Sequence, residues 1–252
     1  MKGVVLAGGS GSRLYPLTRI TNKHLLPIYD KPMIFYPIET LVRAGIHDIM
    51  VVTGGNNAGD FLRLLGNGTD FGLKHINYAY QDRAGGIAEA LALTADFVGS
   101  DRCVLALGDN IVEDDISPFV DNFARQKAGA RILLKEIPER EHLIHLGVAV
   151  LDGHRVVHIE EKPQDPRSSF AVTGVYMYDG SVFDIVENLA PSGRGELEIS
   201  DVNNAYIERG LMEYDVLSGF WGDAGESVDH YMTVMNYVAN HWPRTTPAET
   251  AP

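Results

Sequence analysis

The chain has 252 residues, with 34 acidic against 21 basic side chains and a formal net charge of −13. That balance argues against a general binder of nucleic-acid polymers, whose footprint is a basic face, so any cations used on phosphate must be local. A lone cysteine, Cys103, rules out an intrachain disulfide framework; with no run of about 18 apolar residues and no basic-then-apolar leader, a soluble, cytoplasmic protein with no membrane partner is expected.

The length suits one large α/β domain with a sizeable core. The first apolar run, residues 4–7, reads as a strand of the kind buried in a parallel sheet. It passes directly into Gly8, Gly9 and Gly11, which permit positive φ and close backbone approach, so that successive N–H groups can converge on an anion. Arg13 adds a planar donor fork suited to phosphate oxygens, and Lys23 could add a point charge to the same anion. A Walker loop would need a lysine directly after the glycines, and a dinucleotide fingerprint would need glycine at position 14, which is Leu14. Neither fits. Without context a plain strand-to-loop turn stays open as the lesser alternative.

Strand patterns follow at residues 48–53, 75–80 and 103–107, separated by helical patterns at 34–44, 58–65 and 87–97. This alternation predicts an α/β fold with a doubly wound, Rossmann-like mixed sheet. In such sheets ligands bind at the carboxyl ends of strands, and both the Gly8 loop and Asp109 sit there. Cys103, inside its apolar run, reads as a small buried hydrophobe. The second half is strand-rich, with strands expected at 130–136, 147–151, 156–161, 171–178 and 213–217 and helices at 181–189, 201–209 and 228–239. No proline-rich linker separates the halves. One domain is expected over residues 1–242, its first part (about 1–115) binding nucleotide and its second (about 116–242) binding sugar. Residues 243–252, polar and proline-bearing, read as a disordered tail.

Read from the residues alone, an aspartate in a Gly-Asp-Asn turn is more often a turn-former or helix cap than a metal ligand. Glu160-Glu161-Lys162-Pro163 could be a solvated strand end, and Arg194 a loop cation paired with Glu196 or Glu198. Gln81 carries an amide with donors and an acceptor, the chemistry that matches the imide edge of thymine or uracil.

Several blocks occur together and in order: Gly8 to Pro16, Lys23-His24-Leu25-Leu26-Pro27, Leu107-Gly108-Asp109-Asn110, Glu160-Glu161-Lys162-Pro163, Ala171-Val172-Thr173-Gly174, Arg194-Gly195-Glu196-Leu197-Glu198 and Trp221-Gly222-Asp223-Ala224-Gly225. In these the sequence resembles the sugar-nucleotide pyrophosphorylases, most closely the glucose-1-phosphate thymidylyltransferases, across nearly its whole length. The resemblance implies formation of dTDP-glucose and pyrophosphate from dTTP and glucose 1-phosphate, by Mg²⁺-assisted in-line attack of the sugar phosphate on the α-phosphate. It implies that Leu6, Ala7, Gly8, Gly9, Gly11, Ser12 and Arg13 hold the nucleotide, that Gln81 and the backbone around Gly86 read the base, and that Asp109 and Asp223 hold Mg²⁺. It assigns Gly147, Glu161 and Val172 to the sugar, Lys162 and Arg194 to its phosphate, and the chemistry to Arg13, Lys23, Asp109 and Lys162. It also implies a homo-oligomer, dimer or tetramer.

Three departures stand out. The segment from Gln81 to Gly86 lacks the two prolines of the bacterial pattern; Leu146 stands where relatives commonly have tyrosine; and the chain ends soon after the helix at 228–239, which suggests weakened or absent feedback control. UTP or another hexose 1-phosphate remains an alternative substrate. A regulatory paralogue that binds without turnover is a different class of alternative, against which stands the joint retention of Arg13, Lys23, Asp109, Lys162 and Asp223.

Overall fold

Alternation along the first strand decides what each face of the sheet covers. In β1 (Lys2–Ala7), Val5 and Ala7 point to one face and Val4 and Leu6 to the other, and all four are buried. The computed structural model describes residues 1–242, so the expected tail at 243–252 lies outside the described residues.

After β1 the chain makes a small ribbon, β2 (Pro27–Ile28) with β3 (Lys31–Pro32), and enters α1 (Phe35–Arg43). Then β4 (Ile49–Gly54), α2 (Ala58–Leu65), β5 (Ile76–Gln81), α3 (Ile87–Ala92), α4 (Ala95–Val98) and β6 (Cys103–Leu107) complete the first half. The single helix expected at 87–97 is two short ones. Thr94 divides them, buried and donating its hydroxyl to the Leu91 carbonyl at 2.7 Å, the local bonding by which threonine competes with a helical ladder.

The second half runs β7 (Asn110–Val112), α5 (Ser117–Arg125), β8 (Ala130–Glu136), α6 (Arg140–Leu143), β9 (Gly147–Asp152), β10 (Arg155–Glu161), β11 (Phe170–Tyr178), α7 (Val182–Glu187), α8 (Ile199–Glu208), β12 (Met212–Val216), β13 (Trp221–Asp223) and α9 (Val228–His241). One mixed sheet spans both halves in the order β10-β9-β11-β6-β1-β4-β5, with β8 alongside β11 and β12 alongside β8. β1, β4, β5 and β6 are parallel, whereas β11 is antiparallel to β6.

Helices cover both faces. Ile38 and Leu41 of α1, Phe61 and Leu65 of α2 and Phe123 of α5 pack on Val5 and Val51. Leu91 of α3, Ile185 of α7 and Tyr206 of α8 pack on Val4 and Leu6. Burial of each such side chain contributes about 1.5–3 kcal/mol. Cys103 belongs to the second layer as a small hydrophobe, its thiol pushed up to about 12 by burial. A third cluster, in which Tyr231, Val234 and Val238 of α9 meet Leu14, Ile28 and Tyr36, ties the last helix to the glycine loop.

Candidate active site

The strand order reverses between β1 and β6. From β1 the chain steps outward through β4 to β5, then crosses back to place β6 on the other side of β1. In an open α/β sheet that reversal leaves a crevice beyond the carboxyl ends of the two strands, because their connections leave in opposite directions. Here the Gly8 loop follows β1, and Gly108-Asp109 follow β6.

The loop is held by its own polar groups. Gly11 is left-handed at φ +61°, and its carbonyl accepts the Thr18 hydroxyl at 2.7 Å. Asn22 donates its Nδ2 to the Ala7 carbonyl at 3.3 Å and accepts at Oδ1 from the His24 backbone N–H (3.0 Å) and ring Nδ1 (2.7 Å). That pairing fixes the proton on Nδ1. Burial, with the Lys23 charge beside it, drops the His24 imidazole to about 3, so it is neutral. Gly108 is required beside it: a Cβ there would lie 2.7 Å from His24 Cδ2 and 2.9 Å from the Leu6 carbonyl.

Asp109 and Asp223 meet because β7 and β13 pair as a two-stranded ribbon with Asp223 opposite Asn110. Lys23 forms an ion pair with Asp109, and both side chains are nearly buried. Asn110 organises the junction: its Nδ2 donates to Asp109 at 3.1 Å, and its Oδ1 accepts from the Gly174 N–H at 3.0 Å and Trp221 Nε1 at 2.7 Å. Burial would push the Asp109 carboxyl up, but the Lys23 charge and hydrogen bonds from Lys23 and Asn110 hold it below the usual carboxylate range. Asp223 is raised, by burial and then by the facing Asp109 charge. The Lys23 ammonium, which burial alone would depress, is raised by the two carboxylates. A buried carboxylate and a half-buried one thus share one lysine. These hard oxygen donors, one of them destabilised in its charged form, fit a divalent cation of the Mg²⁺ type, with substrate phosphate completing the shell. Gly225 keeps space open there: a Cβ would collide with Asp109 Oδ2 and lie 2.7 Å from Lys23 Nζ.

Opposite stands the second-half wall. Gly147 opens β9 directly across from Glu161 at the end of β10. Lys162, at φ +47°, is one of two non-glycine residues with left-handed backbone among the described residues, and its N–H donates to the Leu146 carbonyl at 3.0 Å. Arg194 Nη2 lies 2.8 Å from Glu198 and 3.6 Å from Glu161. The pairing with Glu198 anticipated as an alternative is therefore present, inside the cleft. Leu146 is buried and packs.

One cleft brings together Leu6, Gly8, Gly9, Arg13, Lys23, Gln81, Gly86, Asp109, Gly147, Glu161, Lys162, Val172, Arg194 and Asp223. Ala7, Gly11 and Ser12 do not line it: Ala7 faces the core, Gly11 forms the turn against Thr18, and Ser12 begins a single helical turn. Gln81 is more committed than its chemistry alone suggests. Its Nε2 donates to the Gly86 carbonyl (3.2 Å) and Glu89 (3.1 Å), while Arg83 clasps Glu89 with two hydrogen bonds. Its Oε1 faces Gly8.

Sequence reasoning missed Asn22, Asn110 and Glu89 as site-building residues, and also Ser200 and Asn203. The last two line the cleft with a hydroxyl and an Nδ2 that are buried without a protein partner. Asn110 sits inside the Leu107-Gly108-Asp109-Asn110 block and Asn22 directly precedes the block that begins at Lys23, and that was the available signal; nothing local marks Asn203, which arrives from α8.

A glycine loop and the Asp109–Asp223 carboxylate pair at the switch point, facing a wall that carries Lys162 and Arg194, define a nucleotidyltransferase. The family described as nucleotidyl transferase matches residues 2–241. A glucose-1-phosphate thymidylyltransferase of Neisseria meningitidis is 44% identical over 252 residues, covering 96% of this chain and 86% of that one. One from Actinoplanes is 43% identical over 242 residues, covering 94% and 78%. A solved Bacillus anthracis structure, described as a candidate glucose-1-phosphate thymidylyltransferase in complex with sucrose, superposes with TM-score 0.91 at 47% identity, covering 97% and 98%. A UDP-glucose pyrophosphorylase structure shares the fold at TM-score 0.82 and 23% identity, covering 94% and 98%. The chain belongs to the nucleotidyl transferase family, and within it to the glucose-1-phosphate thymidylyltransferases. Enzymes of this family depend on a divalent metal. No helix among the described residues is long and apolar enough to cross a membrane.

Proposed function

We propose that this chain forms dTDP-glucose and pyrophosphate from dTTP and glucose 1-phosphate, with the sugar-phosphate oxygen attacking the α-phosphorus in line and no enzyme nucleophile. The observation that carries the proposal is the position of the Lys23, Asp109 and Asp223 group, between the glycine loop on one wall and Lys162 and Arg194 on the other. Two polyanions brought to one point need neutralisation and alignment more than covalent chemistry.

In this reading Arg13 and the amides of the Gly8 loop bind the triphosphate, and Lys23 stabilises charge at the α-phosphate and the departing pyrophosphate. Mg²⁺, held by Asp109 and Asp223, would supply further neutralisation of the phosphate oxygens. Lys162 and Arg194 orient the attacking phosphate. The strained backbone at Lys162 supports that role, since such strain persists where surrounding structure enforces it and clusters at ligand clamps. Glu161 accepts sugar hydroxyls, beside the open backbone of Gly147 and the wall formed by Val172. Gln81 uses Oε1 to accept the imide N–H of the base, because its amide nitrogen is already bonded to Gly86 and Glu89. Thymine and uracil share that imide edge, so UTP is the nearest competitor.

Residues 1–242 act in this reading as one catalytic domain, supported by the single sheet through both halves. A cytoplasmic location and a symmetric homo-oligomer, dimer or tetramer, complete the proposal; sedimentation tests the latter. The activity is tested by pyrophosphate release with dTTP, UTP, ATP, CTP and GTP against glucose 1-phosphate, with and without Mg²⁺. Mg²⁺-dependent turnover led by dTTP is expected. Turnover led by another nucleotide overturns the assignment of the base, and binding without turnover overturns the enzymatic reading.

A further inference from the structure

Outside the catalytic group, three metal-ligating side chains from separate parts of the chain converge. His142 lies on α6, Glu226 in the turn after β13 and His230 in the first turn of α9. Their donor atoms all lie within 4.8 Å of one another. His142 Nε2 is 2.8 Å from Glu226 Oε2, and His230 Nδ1 is 3.9 Å from the same oxygen. Donors around a tetrahedral ion with bonds of about 2.0–2.1 Å stand roughly 3.3 Å apart, so these spacings bracket what small side-chain rotations would need to reach.

The three positions are held from behind. Glu226 and His230 are one helical turn apart in sequence, and Ser227, between them, caps α9 by accepting the His230 backbone N–H at 3.0 Å. The two imidazole rings lie 4.9 Å apart between centroids. All three side chains remain partly accessible, at 20%, 11% and 22% exposure, so an ion can enter from solvent. Two imidazoles and one carboxylate suit Zn²⁺ or a neighbouring transition metal rather than Mg²⁺, which demands oxygen ligands.

We propose that His142, Glu226 and His230 form a second metal site, selective for a Zn²⁺-type ion and separate from the Asp109–Asp223 pair. Water completes its coordination. α6 runs into Leu146 and Gly147 on the sugar-facing wall, while Glu226 follows three residues after Asp223. An ion here clamps the two walls of the cleft to each other and has no part in the transfer step.

The test is a Co²⁺ titration of metal-stripped protein in saturating Mg²⁺, which keeps the hard oxygen site filled. Co²⁺ in a four-coordinate nitrogen and oxygen site absorbs strongly in the visible, and six-coordinate Co²⁺ does not. One saturable visible band per chain is expected, displaced by Zn²⁺, together with a Zn²⁺-dependent rise in the urea midpoint. Both are expected to vanish in His230→Ala and in Glu226→Gln, with the metal-free urea midpoint of each variant serving as the check on folding. The absence of a saturable band in the wild-type protein overturns the proposal whatever the variants do. Persistence of the band in folded His230→Ala or Glu226→Gln also overturns it, and reduces the cluster to a hydrogen-bonded contact.

Discussion

Replacing Lys23 with methionine keeps the length of the side-chain stem and removes the lysine that the Asp109 and Asp223 carboxylates share. The Lys23 and Asp109 side chains are 13% and 9% exposed. Breaking a pair at that depth costs about 3–5 kcal/mol, because the partner charge is left buried without compensation. A charge pair about 4 Å apart at an effective dielectric constant near 20 gives a similar figure, about 4 kcal/mol. The exposed Arg140–Asp165 pair, at 62% and 89% exposure, is the internal control; pairs of that kind contribute about 0–1 kcal/mol. Urea unfolding at neutral pH in EDTA should therefore separate Lys23→Met from Arg140→Met by several kcal/mol. Adding Mg²⁺ should return more stability to Lys23→Met than to the wild type, since the ion replaces the missing positive charge between Asp109 and Asp223. A loss no larger than the control, or an equal gain from Mg²⁺ in both proteins, would refute the electrostatic account of the site.

Other expectations are more local. Gly225→Ala places a methyl group against the Asp109 carboxylate and the Lys23 ammonium, the far ends of two side chains, so a folded protein with a weakened Mg²⁺ requirement curve is expected in a metal titration of turnover. Gln81→Leu should erase the preference for imide bases in the nucleotide panel while leaving pyrophosphate release with dTTP detectable. His24 gives a pH signature: its folded value, about 3, lies below the ordinary 6.5, so the unfolded chain takes up a proton that the folded one refuses. The stability tied to neutral His24 is complete above about 6.5 and falls as the pH drops toward 3, by up to about 1.4 kcal/mol per unit. Urea midpoints of His24→Gln should show a shallower decline over that window than the wild type.

The sheet strands were legible in the sequence because each is a short apolar run next to glycine or a polar turn, as in Val4 to Ala7 and Cys103 to Leu107. The glycine loop and Asp109 were legible for the same reason: they follow strands directly. What the sequence hid depends on pairing between distant segments. β7 and β13 have three residues each and carry no period, yet their ribbon brings Asp223 to Asp109. α5 escaped notice because Pro118 stands at its start and its buried positions, Val120 and Phe123, are only two. The commitment of Gln81 to Glu89 was equally hidden, since it depends on α3 starting at Ile87 and turning Glu89 back toward β5. Gly86, at φ +100°, lets the Leu197 backbone approach the start of that helix: a Cβ there would run into the Leu197 carbonyl.

The most direct test compares wild-type protein with Asp223→Asn for formation of dTDP-glucose from dTTP, glucose 1-phosphate and Mg²⁺, with circular dichroism on both. The near-isosteric amide keeps the fold and removes the charge proposed to hold the metal. A folded variant whose kcat/KM falls by about a hundredfold or more, about 2.7 kcal/mol of transition-state stabilisation, is the expected result. Full activity in folded Asp223→Asn would contradict the placement of chemistry between the two carboxylates.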